Sequence, residues 1–327
     1  METVVCALCG SDKNEILETR TKNKEIKANT VICRNCGFVF LNPRMTKREY
    51  AEFYSFAQYR KLAGGTEQPT EALDQRSLRG AEEKFTFFSR DINLSQFRTK
   101  KFLDIGCSAG YLPFVFSQNG WEAEGLEPTR SFVQHGRKKF GLNIMTGLIE
   151  AHKLTKRYSL ITLIHVFEHI TNPHVVLQKL RKALAEDGLL YIEVPNVQEF
   201  YGRFEQSCDI AHPYFYSPET LSAVLRINGF DIVKLVAGSS VRVFAKKGAP
   251  AKVKVDEYEK TLEALRNNRR SYYLKGYFIF TPLFDSFSRF VANHEMLAIA
   301  FKKLARAYSR SGLPFSRAVK ELGAVEL

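Results

Sequence analysis

Four cysteines come as two pairs, Cys6-x-x-Cys9 and Cys33-x-x-Cys36, and a glycine follows each pair, Gly10 and Gly37. Two such knuckles bring four soft thiolates toward one point, the donor set tetrahedral zinc needs when it cross-links a segment too short to bury a core. A glycine at each exit suits a tight backbone turn. Four thiolates leave no open coordination position, so zinc on Cys6, Cys9, Cys33 and Cys36 is expected to be structural. Cys107 and Cys208 stand apart from the pairs. The pattern therefore reads as metal binding in a reducing compartment and not as a disulfide framework.

A second constellation starts with the apolar run Phe102-Leu103-Asp104-Ile105, which enters Gly106-x-Ser108-x-Gly110 before helical spacing resumes near Tyr111. Strand, glycine-rich turn and helix start together let a ligand approach backbone N–H groups closely. Glu127 closes the next apolar run, about twenty residues on, where a carboxylate in nucleotide-binding folds takes the ribose hydroxyls. Its plainer reading is a solvated strand end. The same turn spells the nucleophile elbow of hydrolases, but hydrolysis leaves Asp104 and Glu127 without a purpose. His165-x-x-Glu168-His169 spells an inverted zincin signature, which needs its ligands one helical turn apart. Leu160 to Ile164 is a continuous β-rich run, so His165 falls at a strand end and Glu168-His169 in the loop behind it, which excludes that chemistry.

The elements that must position these residues alternate along the chain. Strand-like runs span 101–105, 123–126, 142–145, 160–164, 189–194, 231–236 and 241–245, with helical spacing between most of them, as at Val175, Val176, Leu180 and Leu184. The alternation predicts an α/β fold, a mostly parallel Rossmann-like sheet of seven strands with helices on both faces. Only Ala237 to Ser240 separate the last two runs, which predicts a hairpin at one sheet edge. Residues 1–45 form the cysteine-bracketed ribbon, 46–99 a polar helical lid or linker ending in Phe85, Phe87 and Phe88, 100–248 the α/β domain, and 249–327 a helical extension. In the extension Thr281 and Pro282 open a helix with Phe284, Phe287, Val291, Leu297, Phe301, Leu304 and Tyr308 on one face.

Taken in order, Leu103-Asp104-Ile105-Gly106-Cys107-Ser108-Ala109-Gly110, Gly125-Leu126-Glu127-Pro128, His165 to Pro173 and Gly188 to Asn196 resemble the successive motifs of class I S-adenosylmethionine (SAM)-dependent methyltransferases. With Asn42-Pro43-Arg44 and His212-Pro213-Tyr214-Phe215-Tyr216-Ser217, the chain is similar to a zinc-bearing subgroup that includes nucleotide-sugar C-methyltransferases. The resemblance implies that Asp104, Gly106, Ser108 and Gly110 surround the amino-acid end of SAM, that Glu127 binds its ribose, that Leu148 and Ile149 flank its adenine, and that His165 lies against it. It implies an acceptor side with His169 as base or orienting group, the alternative being a loop histidine that only packs. His212 is the second candidate base, on a loop with Tyr214, Tyr216 and Ser217 roofing the acceptor. Sugar C-methyltransferases carry a Glu-His pair there; Ala211 replaces the glutamate, which makes O-methylation at least as expected as C-methylation. Tyr54 and Tyr59 are placed to line the same pocket, with packing the favoured role. Ser159, where the family carries Asp, lies at the strand end away from the cofactor.

The implied function is methyl transfer to a small-molecule or sugar-linked acceptor, as in polysaccharide or glycoconjugate synthesis. The formal charge of +13 on 327 residues also suits a tRNA or rRNA acceptor, or a non-catalytic zinc-containing module that binds polyanions. The charge is diffuse, Lys22, Lys24 and Lys27 interleave with Glu25, and no stacking platform accompanies them, so a nucleic-acid partner is not expected. Tyr272, Tyr273, Tyr277, Phe278 and Phe280 beside Lys275 could meet a membrane surface, the catalytic domain or a second subunit. No apolar run is long enough to span a bilayer and the first residues lack a secretory pattern, which makes cytoplasm the default.

Overall fold

The structure is a computed structural model that describes residues 1–19, 28–55, 68–199, 204 and 208–267. Lys22, Lys24, Glu25, Lys27, Tyr59 and the C-terminal positions singled out above, from Tyr272 to Tyr308, lie outside the described residues.

The central sheet has seven strands: β4 (Lys101–Ile105), β5 (Glu122–Glu127), β6 (Asn143–Thr146), β7 (Tyr158–Ile164), β8 (Leu184–Pro195), β10 (Phe230–Ala237) and β11 (Ser240–Lys247). Their order is β10-β11-β8-β7-β4-β5-β6. The five from β4 to β8 run parallel, and β11 pairs antiparallel with both β8 and β10. This is the expected α/β sheet with its edge hairpin. After β6 the chain crosses to the other side of β4 to lay down β7, so the carboxyl ends of β4 and β7 flank the point where strand order reverses. Open α/β sheets bind ligands in that crevice.

Strand alternation sorts the core into two layers. One face of the sheet presents Leu103, Ile105, Ile161, Leu163, Leu190, Ile192 and Val194 to helices α5 (Pro173–Ala183) and α6 (Pro218–Ile227) and to the ribbon. The other presents Phe102, Leu160, Leu189, Tyr191 and Phe244 to α2 (Glu71–Asp91), α3 (Tyr111–Gln118) and α4 (Arg130–Phe140). Phe102 stacks on Phe116 of α3 at 3.8 Å, and Phe88 of α2 meets both Phe116 and Tyr191. Each such buried ring contributes about 1.5–3 kcal/mol. The phenylalanines of the linker are thus core, and α2 is part of the domain's outer layer. Asp74 of α2 is buried and accepts from Tyr111 of α3 (2.7 Å), while His135 (2.9 Å) and Lys139 of α4 pair with it. That one carboxylate ties three helices together.

The ribbon is a second sheet of β1 (Asn14–Glu18), β2 (Thr30–Cys33), β3 (Val39–Leu41) and β9 (Tyr214–Phe215). Its fourth strand comes from far down the chain: Val39 pairs with Phe215 and Phe40 with Tyr214. Arg44, just beyond β3, is buried and donates to the Tyr214 hydroxyl (2.8 Å) and to Glu2 (3.0 Å). Helix α1 (Lys47–Ser55) follows and presses Tyr50, Phe53 and Tyr54 against Ile210 and Ala211. A helix over 258–267 adds Leu262 and Leu265 to the same cluster, and just before it Glu257 N–H meets the Cys36 carbonyl. Among the described residues no helix is long and apolar enough to cross a membrane.

A candidate cofactor cleft and acceptor wall

A cleft lies over the carboxyl ends of β4, β5 and β7, and its lining includes Gly106, Ser108, Glu127, Thr129, Gly147, Leu148, Ile149, His165 and His169. The turn after β4 forms because three positions adopt positive φ: Gly106 (74°), Ser108 (55°) and Gly110 (82°). Two are glycines, for which that region costs little. Ser108 is held there by its N–H, which donates to Glu127 Oε2 at 3.0 Å. Thr129 N–H donates to Glu127 Oε1, also at 3.0 Å. The carboxylate is buried and steered by one backbone donor per oxygen, and each oxygen keeps lone pairs for a hydroxyl. Beside it Gly147, at φ 142°, leaves open space where a side chain would stand. This donor and acceptor set fits the ribose of an adenosine-containing cofactor, with Leu148 and Ile149 supplying an apolar edge for a base.

Asp104 and Gly110 are not among the residues that line the cleft. Strand register puts Asp104 directly beside Thr162, whose hydroxyl donates to it at 2.6 Å, below the turn. A side chain at Gly110 would collide with Leu142 and Ile144 at 2.8 Å, so this glycine lets α3 close on β6. Burial is the chief cause that pushes Asp104 up to about 7, against the bond from Thr162 and with help from the charge on Glu127. The unfolded chain releases that proton near pH 4. Between about pH 4 and 7 the folded state holds a proton that the unfolded state has lost, so stability falls as pH rises through this window, by up to roughly 1.4 kcal/mol per unit. Asp104→Asn, which still accepts from Thr162, should remove this fall. Urea unfolding of both proteins across pH 4–8 measures it, and a constant difference between them would refute the raised value.

Across the cleft from Glu127 stand Tyr54, His165 and His169, with Glu168 and His212 beside His169. The turn Phe167–His169 carries Glu168 and His169, and His165 precedes it with φ 53°, a strained conformation for a non-glycine residue. His165 N–H is tied to the Glu193 carbonyl at 2.8 Å, while its ring lies between Glu168 (3.6 Å) and Glu193 (4.0 Å); the Glu168 contact raises its pKa. The Tyr54 hydroxyl lies 2.9 Å from His169 Nδ1 and 2.8 Å from the Ala211 carbonyl, and His169 Nδ1 is also 2.9 Å from that carbonyl. His212 packs edge-on to His169 with ring centroids 4.6 Å apart. Burial and the neighbouring His169 push His212 down to about 4.

The structure thus brings His169 and His212 together, and the cleft includes Gly106, Ser108, Glu127, Leu148, Ile149 and His165. It does not put Tyr214, Tyr216 or Ser217 in a roof. Tyr214 belongs to the ribbon sheet, Tyr216 is fully buried, and Ser217 caps α6 in a capping box with Thr220. Tyr54 has a larger part than packing: its ring packs while its hydroxyl joins the wall. Sequence reasoning also missed Thr129 and Gly147. Thr129 stands two residues after Glu127, at the N-cap of α4, and that position was the available signal.

The cysteine pairs meet as their spacing suggests. The four Sγ atoms lie within 4.8 Å of one another, with Cys6–Cys36 and Cys9–Cys33 at 3.5 Å. Sulfurs on one zinc ion at about 2.3 Å would stand about 3.8 Å apart, so these residues fit the metal. Gly10 and Gly37 take φ of 75° and 76° at the knuckle exits. Contacts with Cys33, with burial adding, push Cys6 up to about 12, and Cys36 is raised in the same way. A cation is what would let all four thiols ionise together.

A doubly wound sheet with a glycine-rich turn and a ribose-type carboxylate at its switch point defines the class I SAM-dependent methyltransferase fold. Residues 73–235, about half of the chain, match the family model described as a methyltransferase domain, and the chain carries such a domain. Over 109 residues it is 32% identical to a ubiquinone biosynthesis O-methyltransferase of Glaesserella parasuis, a match covering 30% of this chain and 46% of that protein. A C-methyltransferase of Streptomyces niveus is 27% identical over 158 residues, 45% of this chain and 37% of the relative. The chain thus spans less than half the length of these relatives. Among solved structures, magnesium protoporphyrin IX methyltransferase from Synechocystis with bound S-adenosylhomocysteine superposes with a TM-score of 0.45 at 16% identity, over 62% of this chain and all of that one.

Proposed function

We propose that this protein is a SAM-dependent methyltransferase acting on a small-molecule or sugar-linked acceptor, with a zinc-braced ribbon supporting the acceptor side. The observation that carries the reading is one cleft with two unlike walls: a buried, backbone-steered Glu127 on one side, and on the other a polar wall of Tyr54, His165 and His169, with His212 behind His169. SAM supplies an electrophilic methyl group, which asks of the protein alignment and removal of the acceptor's proton. Glu127, Ser108 and Thr129 would fix the nucleoside. Tyr54 and His169 would orient an acceptor oxygen, and His169 or His212 would take its proton, His212 in the neutral form its surroundings favour. Relatives named for O- and for C-methylation both align with this domain, and with Ala211 in place of a glutamate we favour an oxygen acceptor. The purified full chain with SAM, screened by mass spectrometry against nucleotide sugars, lipid-linked sugars and tRNA, should add 14 Da to a member of the first two classes (one methyl for one proton, roughly one unit of group transfer). Methylation of tRNA alone would overturn the acceptor class.

A further inference from the structure

Behind the wall just described is a group that methyl transfer as proposed leaves without a task. Glu168 is buried, 2% exposed, and its Oε2 has no hydrogen-bond partner among the described residues. A carboxylate oxygen left unsatisfied in the interior is unfavourable unless something cationic meets it. Among the described residues the cationic groups that act on it are histidine rings: His165 reaches Oε1, at 3.6 Å and half-exposed, and the ligand atoms of Glu168, His169 and His212 all lie within 4.8 Å of one another.

The two histidines are prepared for more than packing. The Ala211 carbonyl can only accept, and it has both the Tyr54 hydroxyl and His169 Nδ1 within 2.9 Å. Both contacts are satisfied when Nδ1 carries the hydrogen, which puts the ring's lone pair on Nε2. A histidine whose one nitrogen donates to a backbone carbonyl while the other offers its lone pair is the usual arrangement of a metal ligand. His212 has no side-chain hydrogen bond among the described residues, and its ring packs on His169 with a ligand nitrogen within 4.8 Å of the other two ligand atoms. Its backbone is fixed on both sides: its N–H donates to the Asp209 carbonyl at 2.9 Å, and β9 begins two residues later in the ribbon sheet.

We propose that Glu168, His169 and His212 form a second metal site, distinct from the cysteine cluster, which takes a divalent first-row transition ion and leaves coordination positions open toward the cleft. Two imidazoles and one carboxylate are ligands of that class, and three protein ligands leave room for an exogenous oxygen. The site borders the cleft because His169 lines it. An ion there would act as a Lewis acid that lowers the pKa of an oxygen-bearing acceptor, whose proton would then pass to water in place of the imidazole base, since the ion would hold both histidine lone pairs; in this respect the inference rests on the acceptor side proposed above. It would also account for Ala211: where an ion polarises the acceptor, a glutamate beside His212 is not required.

The test uses the full chain with its tightly held metal retained. Mn(II) is titrated in, and free Mn(II) is followed by electron paramagnetic resonance. One Mn(II) per chain should bind, and Glu168→Gln and His212→Asn should each weaken binding by roughly 100-fold or more while melting cooperatively. No binding by the wild type, or equal binding by the wild type and both folded variants, overturns the site. SAM binding is measured by calorimetry on the same preparations before Mn(II) is added. A missing SAM signal would mark failure of the methyltransferase reading, whichever way the Mn(II) titration falls, so the two ideas fail separately.

Discussion

Glu127→Ala should abolish measurable SAM binding while leaving a folded protein. The carboxylate lines the cleft at the carboxyl end of β5, and a nucleoside would present it with two hydroxyl donors. Hydrogen bonds to a charged acceptor contribute about 1.5–3 kcal/mol each, so losing two lowers affinity by roughly 100-fold to more than 10,000-fold. A second consequence adds to this. Glu127 also holds the N–H groups of Ser108 and Thr129, and without it Ser108 loses the bond that keeps it at φ 55°. The glycine-rich turn would loosen as well as lose a partner. Glu127→Gln separates the two contributions. Its amide oxygen can keep one of the backbone donors, but its NH₂ group confronts the other, so it should bind SAM more weakly than wild type and more tightly than the alanine variant. Calorimetry with SAM, paired with thermal melts, reads both effects. Undiminished affinity in Glu127→Ala would sink the assignment of this cleft to the cofactor.

What the sequence made legible follows from which interactions are local. The central strands β4 and β7 are mostly apolar runs, and β4 begins and ends where its pattern says, at Lys101 and Ile105. Glu127 was legible for the same reason, since a carboxylate closing a strand at a fixed distance from a glycine-rich turn is a local pattern. The fourth ribbon strand was not. Tyr214–Phe215 is two residues long, too short for any periodicity, and it becomes a strand only because β3 offers an edge to pair with. The consequences spread to its neighbours: Tyr214 and Tyr216, read as a roof over the acceptor, are turned into the ribbon and the core. Gly110 resembled its neighbour Gly106 in sequence, and only the packing of α3 on Leu142 and Ile144 shows that it serves the helix. In the sequence Tyr54 is credited with packing and Glu168 is read only within a rejected signature, because their parts depend on residues more than forty positions away or on one oxygen left without a hydrogen bond among the described residues, and neither leaves a trace in spacing.

That same fourth strand makes removal of metal from the cysteine cluster the other large expected effect. With zinc bound, Cys33 at the end of β2 and Cys36 beyond it hold the turn that leads into β3, and β3 is the edge to which β9 pairs. His212 stands two residues before β9, and Arg44, just after β3, reaches across to Tyr214. The second knuckle is packed on its outer side too: a side chain at Gly37 would stand 2.4 Å from the Glu257 backbone. Loss of the ion would leave several thiols crowded in a buried place with no cation to let them ionise, and the ribbon has too little core of its own to hold them. Cys36→Ser should therefore lose the zinc that survives dialysis, lower the unfolding free energy by about 3 kcal/mol or more, and release the ribbon first. The effects on function should be unequal. The nucleoside wall rests on β4, β5 and the turn after them, away from the ribbon sheet, so SAM affinity should change little. The acceptor wall takes His212 and the Ala211 carbonyl from the segment that the ribbon holds, so turnover should fall steeply. Zinc analysis, hydrogen exchange of residues 28–45 and 208–217, and calorimetry with SAM distinguish the outcomes. If the serine variant keeps its full stability and its turnover, the cluster does not brace the acceptor side.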